Sequence, residues 1–531
     1  MLLSELVTTH AAVAATRSRL RKRELLAGTL RRVADDGDAA DASQEAAGAP
    51  SGRQADEAEI VASYLSGRLR QRRTGVGGRS LTDLPPAATD PTLTPVEVDR
   101  AFEAMSALTG AGSHAARSDA LARLLARATP DEQRFLRGLV LGELRQGALD
   151  SLLLDAIAAA ADVPPEAVRR AAMFSAPSGP IARAALAGGV SALETFRLQV
   201  GRPVRPMLAS SAPDVVGALD RFDGAEVAAD VKLDGIRVQV HVVGDDVAVF
   251  TRSLDDITER LPEVVSLARA LDVQAAVLDG EALALDDAGR PRPFQETAAR
   301  AGTHDVGPTA PSVPLSVRFF DVLHLDGADL LDAPAHERLA ALDRVVPPAA
   351  VVPRVVTADP DAVQTFFEDT VGAGHEGLVV KALDAPYDAG RRGAAWVKVK
   401  PRHTLDLVVL GVERGSGRRE GWLSNIHLGA RDRDTGGFVM LGKTFKGMTD
   451  ETLAWQTERF TELADGPTDG YVVRVRPEQV VEIAFDGVQR SRRYPGGVAL
   501  RFARVVRYRD DKTAEEADTL AQVRALGNMP G

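Results

Sequence analysis

The feature that most constrains this chain is a change of hydrophobic period near residue 206. Before it, apolar residues recur at helical spacing, as Leu136, Leu139, Val140 and Leu144 do in PDEQRFLRGLVLGELRQG, where Pro130 and Asp131 open a helix and Gly147 closes it. After it the period falls to two. EVAADVKLDGIRVQVHVV alternates about an Asp-Gly turn, and AAVLDGEALAL, LSVRFFDVLHLDG and GLVVKAL follow, separated by helical stretches such as DITERLPEVVSLARAL. From about residue 403 the strands shorten and a single helical segment, DETLAWQTERFTEL, stands among them. Five or so short strands with one helix match a small closed β-barrel of the OB type. The reading is a multidomain chain: an all-α region over 1–205, an α+β domain over 206–402 and a β-barrel over 403–531. Within the helical region, 35–57 is small, acidic and free of aromatics, and reads as a disordered insertion.

With 531 residues, the chain is long enough for several cores. It has no cysteine, which excludes disulfides, thiolate zinc sites and thiol catalysis and suits the cytoplasm. No apolar run approaches the roughly 20 residues of a membrane span, and the N-terminal charges follow the apolar stretch instead of preceding it, so neither anchor nor signal peptide is expected. The net charge of -11 argues, taken bluntly, against a nucleic-acid partner.

Lysine usage cuts the other way. Only eight of the 64 basic residues are lysine, and seven of those lie between Lys232 and Lys512. Arginine does not shed its proton and lysine does, so chemistry that needs an amine belongs in that stretch. Lys232 ends an apolar strand directly before a turn, in Ala-Asp-Val-Lys-Leu-Asp-Gly-Ile-Arg. Desolvation and nearby cations make such an amine a nucleophile, although an isolated K-x-D-G is more often a surface lysine before a turn.

Its company decides between these. Lys-Leu-Asp-Gly-Ile-Arg (232–237), Phe-Thr-Arg-Ser (250–253), Asp-Gly-Glu (279–281), Phe-Phe-Asp-Val-Leu (319–323), Glu-Gly-Leu-Val-Val-Lys (376–381), Trp-Val-Lys-Val-Lys (396–400) and Arg-Phe-Ala-Arg-Val-Val-Arg-Tyr-Arg-Asp-Asp-Lys (501–512) follow in order. Together they resemble the nucleotidyltransferase motifs of ATP-dependent DNA ligases and capping enzymes. GELRQGALDSLLLDAI in the helical third resembles the ligases' DNA-binding domain, which capping enzymes lack. The chain is therefore identified as similar to bacterial three-domain ATP-dependent DNA ligases.

The resemblance implies in-line displacement at phosphorus, where catalysis is positioning plus neutralisation of oxygen charge. Lys232 would take AMP from ATP, and Glu281 and Glu376 would hold Mg²⁺ against phosphate oxygens. Lys398 and Lys400, on one face of a strand, would reach the same phosphates. Phe320 would stack on adenine while Phe319 on the opposite face joins the core, and Asp230 would meet the adenine amino group. Arg237 and Arg252 would bind ribose and phosphate oxygens, though each alone is more often a salt-bridge residue. Arg392 fits a nucleotide-binding position, but Arg391 is adjacent and spacing does not separate them. Arg501, Arg504, Arg507, Arg509 and Lys512 lie in a strand-like run whose alternation places several of them on one side, where they would meet pyrophosphate as the barrel closes. The expected partner is nicked duplex DNA, bound by a monomer on the nucleoid, in replication, recombination or repair.

Gly437-Phe-Val-Met-Leu-Gly442-Lys443-Thr444 satisfies the P-loop spelling, yet its bulky apolar interior reads as a strand and not a phosphate cradle. Lys443 and Lys446 are expected on the barrel surface. RNA ligation or GTP-dependent capping, and a non-catalytic binding protein on a degenerate scaffold, are the competing readings.

Overall fold

A computed structural model describes residues 1–41, 52–71, 74–144, 150–174, 177–302, 313–388 and 392–527. The helices of the first third are α1 (Leu3–Ala15), α2 (Arg19–Asp41), α3 (Gly52–Leu65), α4 (Pro95–Ala107), α5 (Ser113–Ala126), α6 (Pro130–Leu141), α7 (Asp150–Ala160), α8 (Pro165–Phe174) and α9 (Ser178–Leu193). The middle of the chain gives β1 (Leu208–Ser211), α10 (Val215–Leu219), β2 (Val227–Lys232), β3 (Ile236–Val243), β4 (Asp246–Thr251), α11 (Pro262–Arg269), β5 (Ala275–Ala284), α12 (Phe294–Gly302), β6 (Leu315–Leu325) and β7 (Ala328–Asp329). It continues through α13 (Ala335–Val345), β8 (Arg354–Thr357), α14 (Pro360–Gly372), β9 (Gly377–Ala382) and β10 (Arg392–Val399). The last part holds β11 (His403–Arg414), β12 (Leu423–Arg431), β13 (Phe438–Thr444), α15 (Asp450–Glu462), β14 (Val472–Arg474), β15 (Val480–Phe485), β16 (Gly487–Arg490), β17 (Val498–Arg501), β18 (Arg504–Tyr508) and α16 (Leu520–Leu526).

These elements form two compact units, and residues 206–402 contribute to both. In the first unit the helices bury a core of their own that includes Leu26, Leu30, Tyr64, Phe102, Leu136 and Ile157. Helix α6 illustrates the local logic. Thr129 caps its N-terminus by accepting from the Glu132 N–H, Pro130 takes the first turn, and Phe135, Leu136 and Leu139 face inward. Its C-cap is Gly142, in the left-handed region at φ 66°, and not Gly147, which lies outside the described residues. Gly142 is free to turn left-handed, and the helical period breaks there. Helix α2 runs on to Asp41 and α3 starts at Gly52, so helix enters the expected insertion from both sides. Alanine in that stretch is a strong helix former, which weighs against reading its polarity as loop. The rest of the insertion, 42–51, lies outside the described residues.

The first unit also contains the antiparallel sheet β4-β3-β5-β6-β7. One face is apolar: Val238, Val240, Leu278, Ala282, Val317 and Phe319 are buried among α11 and α13 residues such as Val264 and Leu342. The alternate residues of β3 and β5 make a polar face, with Arg237 opposite Glu281 and Gln239 opposite Asp279.

In the second unit β9 lies between β10 and β2, with β8 beyond β2, and helices α10 and α14 cover a core that includes Val227, Ala229, Val363, Leu378 and Val399. The same unit holds the barrel, whose strands run β13-β12-β11-β15-β18. The barrel closes where the Val505 N–H donates to the Lys446 carbonyl at 2.9 Å. Gly447 follows at φ +83°, and a Cβ there would stand 2.2 Å from the Val505 carbonyl, so the closure point tolerates only glycine. Leu453 and Phe460 of α15 complete the barrel core.

Candidate active site

In the second unit, Lys232 ends β2 and Glu376 immediately precedes β9; the Glu376 N–H donates to the Lys232 carbonyl at 3.1 Å. This main-chain link carries over to the side chains. Glu376 Oε2 pairs with the Lys232 amine, while Glu376 Oε1 accepts from Lys400 Nζ at 2.9 Å. Gly377 makes that approach possible: it sits at φ +132°, and a Cβ would fall 2.1 Å from the Val399 carbonyl, one residue before Lys400.

Burial opposes charge on Glu376, but the adjoining Lys232 and Lys400 outweigh it and hold the carboxyl below the usual carboxylate range. Burial likewise opposes charge on Lys400, and its carboxylate partners, Glu376 first, raise its pKa. Lys398, on β10 two residues before Lys400, is half-buried, and its carbonyl accepts from the Ala212 N–H at 3.0 Å.

One turn of the pleat back from Lys232, Asp230 is 2% exposed and meets Lys381 Nζ at 2.5 Å and Arg354 Nε at 3.6 Å. A buried carboxylate needs such partners. Sequence reasoning placed Lys381 in a motif without giving it a role and overlooked Arg354, because their contact with Asp230 joins three strands.

The last motif departs from expectation. Its run is broken at Phe502, which takes φ +55°, so β17 ends at Arg501 and β18 begins at Arg504. The cations consequently do not form one face. Arg501 lies 3.9 Å from Glu376, Arg504 lies 3.6 Å from Asp486, Arg507 pairs with Glu482 at 2.7 Å, and Arg509 and Lys512 share Asp406 at 3.1 and 2.6 Å. Asp486, which also accepts from Lys400 at 3.3 Å, was not singled out; an Asp-Gly pair reads from sequence only as a turn.

In the first unit, Arg237 is held in a clamp. Its guanidinium donates to both oxygens of Asp279, at 3.0 and 2.6 Å, to the Met207 carbonyl at 2.6 Å and to the Tyr387 hydroxyl at 3.2 Å. Phe320 and Trp396 stack on it, with centroids 5.4 and 5.6 Å from its central carbon, and meet each other edge to face. Arg237 thus forms a salt bridge, with most of its donors committed. Tyr387 completes the clamp by donating to Asp279 at 2.6 Å and accepting from the Met207 N–H at 3.0 Å. Burial, then the Asp279 charge, pushes its pKa well up. No motif marked Tyr387, and Asp279 was visible only as part of Asp-Gly-Glu.

Glu281 accepts from the Gly235 N–H at 3.2 Å. Phe319 is fully buried and Phe320 half-buried, as the alternation requires. Arg252 is exposed in the turn after β4. The Arg392 side chain and the whole of Arg391 lie outside the described residues. Among the described residues no group of three or more His, Asp or Glu is gathered as a metal cage. The P-loop spelling falls on β13, a strand, and Lys443 there pairs with Glu413, which His427 and Asn425 also contact.

The chain matches three family models: DNA ligase N terminus over residues 40–158, ATP dependent DNA ligase domain over 206–400, and ATP dependent DNA ligase C terminal region over 419–512. It is 62% identical over 536 residues to a probable DNA ligase of Beutenbergia cavernae, covering 100% of both chains. It is 61% identical over 526 residues to a probable DNA ligase of Nocardioides sp., covering 99% of each. Among solved structures, Pmar-Lig_PreS3 aligns over 95% of this chain and 99% of its own, with TM-score 0.59 and 17% identity, a likeness of fold.

Proposed function

The chain belongs to the ATP-dependent DNA ligase family, and from that premise we propose that Lys232 is the residue that carries AMP. As a ligase it seals nicks in duplex DNA through adenylated intermediates. In the first step the Lys232 amine, once deprotonated, attacks the α-phosphorus of ATP; the bond to the β-phosphate oxygen breaks, and pyrophosphate leaves. AMP then passes to the 5′-phosphate at the nick. The 3′-hydroxyl attacks that phosphate and expels AMP.

The observation that carries the assignment is the pair of amines, Lys232 and Lys400, bound to the two oxygens of Glu376. One carboxylate holds both amines and fixes their positions, where phosphate oxygens can join them. Lys398 and Lys400 are assigned to phosphate oxygens. Phe320, steadied by Arg237 and Trp396, offers its ring to adenine, and Asp230, with Lys381 behind it, is assigned to the base. Arg252 and Arg392 keep their assignment to the nucleotide. Glu281 and Glu376 would supply hard oxygen donors to Mg²⁺, an ion suited to few carboxylates together with substrate phosphates, and bound there it would neutralise phosphate charge. The division at 205/206 and 402/403, a monomeric state and action in the cytoplasm on the nucleoid belong to the same proposal. Among the described residues no helix is long and apolar enough to cross a membrane.

The test is covalent labelling. Incubated with Mg²⁺ and α-labelled ATP, the protein should retain label after denaturation, and Lys232→Arg should not. Undiminished label in that variant would overturn the assignment, and label from GTP would favour capping chemistry.

A further inference from the structure

One acidic residue of the barrel reaches an amine of the proposed adenylation site. Asp486 sits on the turn between β15 and β16, its Oδ2 3.3 Å from Lys400 Nζ and its Oδ1 3.6 Å from Arg504 Nη1. Lys400 is therefore shared between two carboxylates, with Glu376 at 2.9 Å on its other side. Around these two acids stand four cations, Lys232, Lys400, Arg501 and Arg504, a setting that suits negative oxygen. Glu376 is tied to Lys232 by side chain and main chain alike, whereas Asp486 is about a quarter exposed and holds Lys400 through the longer contact. Of the two acids on Lys400, Asp486 is the one that phosphate would displace.

We propose that Asp486 is a barrel-borne stand-in for phosphate, which holds the Lys400 amine and must yield it to the phosphates of the nucleotide. The inference rests on the reading that Lys400 binds those phosphates. A residue that occupies Lys400 lowers the apparent affinity for ATP by the fraction of time it does so, and leaves the rate at saturation alone. The same competition applies to pyrophosphate in the reverse reaction. A residue that merely orients Lys400 would instead lower the saturated rate when removed.

The experiment uses the full chain with Mg²⁺, comparing wild type with Asp486→Asn, Asp486→Ser and Asp486→Glu. Covalent labelling by α-labelled ATP is followed against ATP concentration, and discharge of the labelled enzyme against pyrophosphate concentration, with thermal unfolding measured alongside. In the Asn and Ser variants, half-saturating ATP and pyrophosphate should both fall by about three- to tenfold, the scale of one partly exposed charged hydrogen bond. The saturated rates should stay within about twofold, and the Glu variant should follow wild type. Unchanged half-saturation in folded Asn and Ser variants, or a lower saturated rate at unchanged half-saturation, overturns the proposal. Failure of the adenylation reading shows separately, as absence of label in wild type or persistence of label in Lys232→Arg.

Discussion

Gly377 shows how a single residue shapes this site. It directly follows Glu376, at a φ that disfavours side chains and with β10 too near for a Cβ. Gly377→Ala should lower stability by about 1–3 kcal/mol, read by denaturant unfolding, and reduce covalent labelling more than tenfold as Glu376 moves off its lysines (about 1.4 kcal/mol per tenfold). Wild-type labelling in that variant would show that β9 and β10 separate without cost. Tyr387 is the corresponding case in the first unit. Tyr387→Phe leaves the Met207 N–H without its acceptor and removes one donor from Asp279. A cost of about 1–3 kcal/mol is expected, with a higher half-saturating ATP as Arg237 and the Phe320 ring loosen. Neither role is legible in sequence: Gly377 stands inside the Glu-Gly-Leu-Val-Val-Lys motif without one, Tyr387 stands in no motif, and the importance of both lies in atoms contributed by distant strands.

Strand β3 was legible as an element, because its apolar residues alternate and pack on one face, but the use of its other face was not. There His241 accepts from the Gly201 N–H at 2.9 Å and meets Gln239, which in turn pairs with the main chain of Val204. The polar face of the strand thus fastens the segment that leads into the sheet. Burial, with a smaller push from His324, lowers the His241 pKa from 6.5 to about 3. Across that window the unfolded chain binds a proton that the folded chain does not, so the contribution is complete above pH 6.5 and declines as pH falls. Stability should drop by up to about 1.4 kcal/mol per pH unit from this group, and His241→Gln should flatten that part of the profile in denaturant titrations. An unaltered slope would assign the acid sensitivity to other residues. In the last motif the alternation suggested one strand face for several cations, and the left-handed Phe502 divides the run.

For the molecule as a whole, net charge proved a poor guide, since -11 belongs to a chain whose cations are gathered locally and paired with acids. If the duplex is held mainly through phosphates, sealing at subsaturating enzyme should fall steeply from about 50 to 200 mM salt, with the same slope for nicks of unrelated sequence. A slope that changed with sequence would reveal base contacts instead. The order of helices and strands, the barrel, the rejection of the P-loop spelling and the motifs that resemble the ligases were legible in the residues alone, because they depend on local period, turn chemistry and short spacings. Which acid meets which base was settled by the folded chain. It tied Lys232 to Glu376, gave Asp230 to Lys381, turned Arg237 inward onto Asp279 and brought Asp486 to Lys400. The physical reason is that an ion pair depends on a few ångströms between side chains whose separation along the chain runs from 42 to 151 residues in these examples. Strand register and turn geometry set that distance, and no periodicity records it.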